Sequence, residues 1–122
     1  MALSSTHLVV GAYGAKKAAI FKLDGSGNIP ATATAVIDGY TAEAWFGIAL
    51  ALSSTHLVVG AHGSKKAFIF KLDSSGNIPT TVTTVIDRYT TEDSFGETLA
   101  LSSGHLVVGT SVAKKVFVFK KN

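Results

Sequence analysis

Residues 2–50 and 51–99 align without a gap and share 36 of 49 positions, and residues 100–122 begin the same unit a third time. A tandem period of this kind constrains the fold more than any single residue does. Near-identical units mean one supersecondary element used repeatedly, each copy burying its apolar face against the next. The middle unit reads as a chain of short strands. Phe46-Gly-Ile-Ala-Leu-Ala-Leu52 is small and apolar, and Ser53-Ser54-Thr55 is a polar break. Leu57-Val58-Val59 is β-branched and ends at Gly60, and His62-Gly63-Ser64 is turn chemistry. Ala67-Phe-Ile-Phe-Lys-Leu72 alternates, Asp73-Ser-Ser-Gly-Asn77 is a turn cluster closed by Pro79, and residues 80–86 are rich in Thr and Val. The reading gives four strands: a (Phe46–Leu52), b (His56–Ala61), c (Lys66–Leu72) and d (Thr80–Asp87). Helices are disfavoured because each segment is under about ten residues and Gly or Pro interrupts repeatedly.

Four antiparallel strands repeated at roughly 40–50 residues predict an all-β fold of β-propeller blades. The small residues of strand a suit an inner strand, and the polar strand d suits the rim. The chain then divides into residues 1–45 (an incomplete blade with strands b, c and d), 46–94 (a full blade) and 95–122 (an incomplete blade with strands a, b and c). Closed propellers typically have 4–8 blades. One chain is therefore expected to complete its ring through homo-oligomerisation, to be a window from a longer array of blades, or to stack as an open filament, because unpaired strand edges invite other chains.

Composition sets the outer limits. The chain has 122 residues, 47% of them hydrophobic and 16% charged, which excludes a disordered polymer. Apolar runs such as Leu8-Val9-Val10 fall far short of the roughly 20 residues of a membrane-spanning helix, so no membrane insertion is expected, and the first residues lack the pattern of a signal peptide. Cysteine is absent, which removes disulfides and thiolate metal sites. The net charge of +3 comes from dispersed lysine pairs and a single arginine, Arg88, without interleaved aromatics. That pattern predicts solvated loops and no nucleic-acid surface.

Phe46-Gly47, Leu57-Val-Val-Gly-Ala61, Ala67-Phe-Ile-Phe70 and Asp73-Ser-Ser-Gly-Asn77 together resemble the FG-GAP repeat, the blade of integrin alpha-subunit propellers. The third unit repeats the pattern with Phe95-Gly96, Leu106-Val-Val-Gly109 and Val116-Phe-Val-Phe119. The first has Leu8-Val-Val-Gly-Ala12 and Ala18-Ala-Ile-Phe21 without a preceding Phe-Gly. The resemblance covers essentially the whole chain. It implies propeller blades and an extracellular setting. It does not bring calcium with it: the a–b loop, Ser53-Ser54-Thr55, has no carboxylate, whereas calcium needs several charged oxygens. Asp24-Gly-Ser-Gly-Asn28 offers one carboxylate and reads as a hairpin turn. Neither a metal nor any other cofactor is expected.

No catalytic constellation appears, so an enzyme is not expected. His7, His56 and His105 share one repeated position, either a ring of imidazoles or strand-start histidines bonded to a neighbouring loop. Asp38/Asp87 and Glu43/Glu92 repeat without a nucleophile or a positioned partner. The differences between copies point elsewhere. Of 13 substitutions between units one and two, six fall in the b–c turn or the d–a connection: Tyr13/His62, Ala15/Ser64, Gly39/Arg88, Ala42/Thr91, Ala44/Asp93 and Trp45/Ser94. In a propeller these connections share one face, and loops on a rigid scaffold carry recognition. Tyr13, Tyr40, Trp45, His62 and Tyr89 are therefore the candidate ligand-binding residues, with Trp45 either stacking on a sugar or packing beside Phe46. Two functions follow as expectations: a self-assembling structural repeat whose partner is another copy of itself, and a lectin-like module that binds carbohydrate.

Overall fold

The computed structural model describes residues 1–12, 14–38, 45–61, 63–87, 95–102, 104–110 and 114–120. Among these the protein is all-β, with no helix and eleven strands in three antiparallel sheets. The first sheet has the order β1 (Ala2–Leu3), β2 (His7–Ala12), β3 (Lys17–Lys22) and β4 (Ala35–Ile37). The second repeats it with β5 (Ala49–Leu52), β6 (His56–Ala61), β7 (Lys66–Lys71) and β8 (Thr84–Ile86). The third contains β9 (Thr98–Leu101), β10 (His105–Thr110) and β11 (Lys115–Lys120). Each sheet is a meander in which sequence neighbours pair.

Strand b spans His56–Ala61 as the sequence predicts, because a β-branched run lies between a polar turn and a glycine. Strand a is shorter than the expected Phe46–Leu52. Gly47 adopts φ 95°, and the Ile48 amide donates to the Trp45 carbonyl at 3.1 Å, so Phe46-Gly47 is a bend that precedes the ladder. Strand d is likewise shorter than Thr80–Asp87. At its start the Thr83 hydroxyl accepts the Lys71 amide at 2.9 Å, and a side chain replaces a ladder carbonyl. Thr34 does the same for Lys22 in the first sheet. The sequence assigns only b, c and d to residues 1–45, but the first sheet also carries a two-residue strand a. Ala2 and Leu3, at the positions of Ala51 and Leu52, pair with Val9 and Leu8.

The turns repeat as faithfully as the strands. In the c–d turn the Asp24 carboxylate accepts the amides of Ser26 (2.8 Å) and Asn28 (2.9 Å), and Asp73 does the same for Ser75 and Asn77. Gly27 and Gly76 supply the left-handed backbone that closes these turns. In the b–c turn, Lys16, Lys65 and Lys114 hold φ of 57–58°, an uncommon conformation for residues with a Cβ. A lysine in sequence gives no hint of it.

Because side chains alternate along each strand, every sheet has two faces. We call the face turned to the following unit forward and the face turned to the preceding unit rear. Two buried clusters join the three sheets. In one, Val9, Ala18, Ile20 and Ile37 on the forward face of the first sheet meet Leu57, Val59, Phe68 and Phe70 on the rear face of the second. In the other, the equivalent Val58, Ala67, Ile69 and Ile86 meet Leu106, Val108, Phe117 and Phe119. The middle sheet is covered on both sides, and all but the first residue of β6 is buried.

Candidate functional site

The joint between sheets is the feature that the chain builds twice, and its parts can be read residue by residue. Phe46 is fully buried in the first joint and meets Phe68 edge to face, with centroids 5.2 Å apart. Phe95 repeats this contact in the second joint with Phe117 at 5.3 Å. Edge-to-face pairs of this kind add about 0.5–1.5 kcal/mol beyond simple burial. The glycine after each phenylalanine lets two backbones touch. A Cβ on Gly11 would collide with the Gly47 carbonyl, and one on Gly60 with the Gly96 carbonyl. A polar link crosses the first joint, where Lys22 Nζ donates to Asn77 Oδ1 at 2.8 Å.

The same faces lie open at the two ends of the stack. On the rear face of the first sheet, Leu3, Val10 and Val36 are exposed, and beside them Ile29 is 50% exposed where its equivalent Ile78 is 7%. On the forward face of the third sheet, Val116 and Val118 are 68% and 63% exposed, although the matching Ala18 and Ile20 are buried. A shallow groove of about 190 Å³ runs over that face beside Val107, Gly109 and Val116. Gly109 is the third copy of Gly11 and Gly60, so the groove lies where the other joints receive a Phe-Gly bend.

Of the predicted ligand residues, Tyr13, Tyr40, His62 and Tyr89 lie outside the described residues, and only Trp45 can be placed. Trp45 has φ 67° and is 45% exposed. The aromatic that enters the core is its neighbour Phe46. Two residues after Trp45, Gly47 abuts Ala12 and Lys17, which flank the first b–c turn. Trp45 therefore stands at the b–c end of the joint. The clefts of the joints open at the other end. One, of about 290 Å³, is lined by the a–b turns at Ser4–Thr6 and Ser53-Ser54 together with Ser75 and Gly76. Another, of about 310 Å³, lies between His56, Val58, Ile69 and Thr84 on one side and Leu106 and Phe119 on the other. Neither includes Trp45.

The repeated histidines are strand-start residues. The His7 Nδ1 lies 2.8 Å from the Thr6 hydroxyl, and His56 repeats the contact with Thr55. His7 is buried, and burial, reinforced by the Lys22 charge, holds its imidazole below the usual value of 6.5. Among the described residues no three His, Asp or Glu side chains gather as a metal would require. Sequence reasoning missed the Lys22–Asn77 link and the two open valine faces. A signal for the faces was present: strands b and c are apolar at successive positions, which is the pattern of strands covered on both sides.

The chain matches no protein-family model and no curated protein. The resemblance to FG-GAP blades thus rests on the quoted motifs alone.

Proposed function

We propose that the chain is a non-enzymatic repeat scaffold, built of FG-GAP-like propeller blades, that joins copies of itself into a β-propeller-type homo-oligomer. One observation carries this reading. A single pair of faces is buried twice within the chain, and the same two faces stand open at its ends with exposed valines on both. Apolar faces of a repeat array are covered either by polar capping units or by further units. Val116, Val118, Val10 and Val36 are not a polar cap. Native mass measured across a concentration series tests the reading: a discrete multiple of the 12.6 kDa chain supports it. A folded monomer at tens of micromolar rejects it.

A second reading is favoured by Trp45. A half-exposed tryptophan held in a left-handed bend, at the end of the joint where the copies differ most, suits stacking against a sugar ring. In this reading the protein is a carbohydrate-binding module whose contact residues are Trp45 and the sequence candidates Tyr13, Tyr40, His62 and Tyr89. Glycan-array binding that is lost in Trp45→Ala selects it. An array without signal leaves the scaffold reading alone.

A further inference from the structure

We infer that the forward face of the third sheet is a socket for the rear face of the first sheet of a second copy. Copies then join head to tail, and two copies bring six sheets together in a closed ring. The inference rests on the self-assembly reading above and names its surface and partner.

The proposed contact continues an interface that the chain already contains. Each internal joint sets a forward face of Val, Ala, Ile and Ile against a rear face of Leu, Val and aromatic residues. The third sheet offers Val107, Val116 and Val118 at the forward positions, all apolar and all at the register of Val9, Ala18 and Ile20. The first sheet offers Leu8, Val10 and Phe21 at the rear positions, at the register of Leu57, Val59 and Phe70. The polar chemistry matches as well. Lys22 on the forward face donates across the first joint to Asn77 in the following c–d turn. The repeat places Lys120 at the position of Lys22 and Asn28 at the position of Asn77. A second copy docked in the same register puts Lys120 of one beside Asn28 of the other and covers Ile29 as Ile78 is covered. The two faces differ, so the contact is heterologous and must close as a ring or run on as a filament. With three sheets among the described residues of each copy, one ring falls within the usual range of 4–8 blades, the six-sheet ring of two copies.

The test uses the 122-residue chain and two surface variants, Val118→Lys in the socket and Val36→Lys on the opposing face. Both positions are exposed, so each variant is expected to keep the strand-type circular dichroism of the parent, and this is checked first. The parent is expected to have the mass of two copies. Each variant alone is expected to fall to one copy. Mixed in equal amounts they are expected to regain a two-copy species containing one of each, because one supplies an intact socket and the other an intact plug. Loss of assembly in Val118→Lys with none in Val36→Lys indicates a symmetric contact and overturns the socket. An assembled parent that neither variant disturbs overturns the socket while leaving self-assembly, through strand edges, in place. A parent that is a folded monomer overturns both.

Discussion

Gly60 and Gly96 meet backbone to backbone across the second joint, and a Cβ on Gly60 would run into the Gly96 carbonyl oxygen. Gly11 and Gly47 stand in the same relation across the first. The glycine of each Phe-Gly bend therefore closes onto the penultimate residue of strand b in the preceding sheet. This contact sets how closely successive sheets stack, and it fixes the position from which Phe46 and Phe95 enter the core.

Gly60→Ala should destabilise the protein by about 2 kcal/mol, toward the middle of the range for overpacking a tight site, because the obstacle is backbone and cannot rotate away. Gly25→Ala is the control. No atom lies near the Cβ that it would add, and the second copy already carries Ser74 there. Its effect should stay within about 0.5 kcal/mol. Chemical denaturation of both variants makes the comparison. Equal stabilities would mean that the sheets do not pack through these glycines.

Phe95→Ala removes a fully buried ring that meets Phe117 at 5.3 Å and Phe119 at 6.5 Å. Loss of such a side chain costs about 3–5 kcal/mol. The third sheet is joined to the rest through this cluster, so hydrogen exchange should quicken first in β10 and β11. Uniform acceleration over all three sheets would show that the joints do not act as separate units.

His7 gives the stability a pH dependence of known sign. Burial and Lys22 lower its folded pKa below 6.5, so the unfolded chain takes up the proton first. The contribution of His7 is complete above the unfolded value. It declines as the pH falls through 6.5 toward the lower folded value. Denaturant midpoints at pH 7.5 and 5.5 should differ in the native chain, and His7→Gln should reduce the difference. An unchanged difference in that variant would assign it to other groups.

The Asp24 carboxyl is held below its usual 3.8 by the amides of Asn28 and Ser26, and the side chain is fully exposed. Its contribution is present above 3.8 and is lost as the pH falls through the depressed folded value. Asp24→Ala should lower the melting temperature more than Asp24→Asn, which keeps an acceptor oxygen for the turn. Because the carboxylate is taken up by backbone amides, a calcium chelator should leave the melting temperature of the native chain unchanged. A drop on chelation would contradict the turn as described.

The sequence made the period, the strand class and the b strands legible, since a β-branched Leu-Val-Val run between a polar turn and a glycine favours extended backbone. It overextended strand a because Phe46 and Ile48 look like strand residues, while the positive φ of Gly47 turns the chain between them. It overextended strand d because threonine has strand propensity, and at Thr83 the hydroxyl takes the bond that the ladder would make. The left-handed lysines were invisible, as was the choice of Phe46 over Trp45 for the core. Both are decided by the neighbouring sheet, which no local window contains.

The first sheet carries Ala19 where the second and third carry Phe68 and Phe117. In those sheets the ring packs edge-on against Phe46 or Phe95. Ala19 lies on the open rear face, paired across the ladder with Val10 and Val36. If a second copy covers this face, a phenylalanine at position 19 extends into the groove beside Gly109 and Val116 and buries additional apolar area. At roughly 25 cal/mol per Å², about 60 Å² of added burial is worth about 1.5 kcal/mol at each contact and about 3 kcal/mol over the two contacts of a two-copy ring, a change in affinity of roughly a hundredfold. Ala19→Phe should therefore lower the concentration at half-assembly by roughly a hundredfold, measured by native mass across a dilution series. An unchanged midpoint would place the contact between copies away from this face.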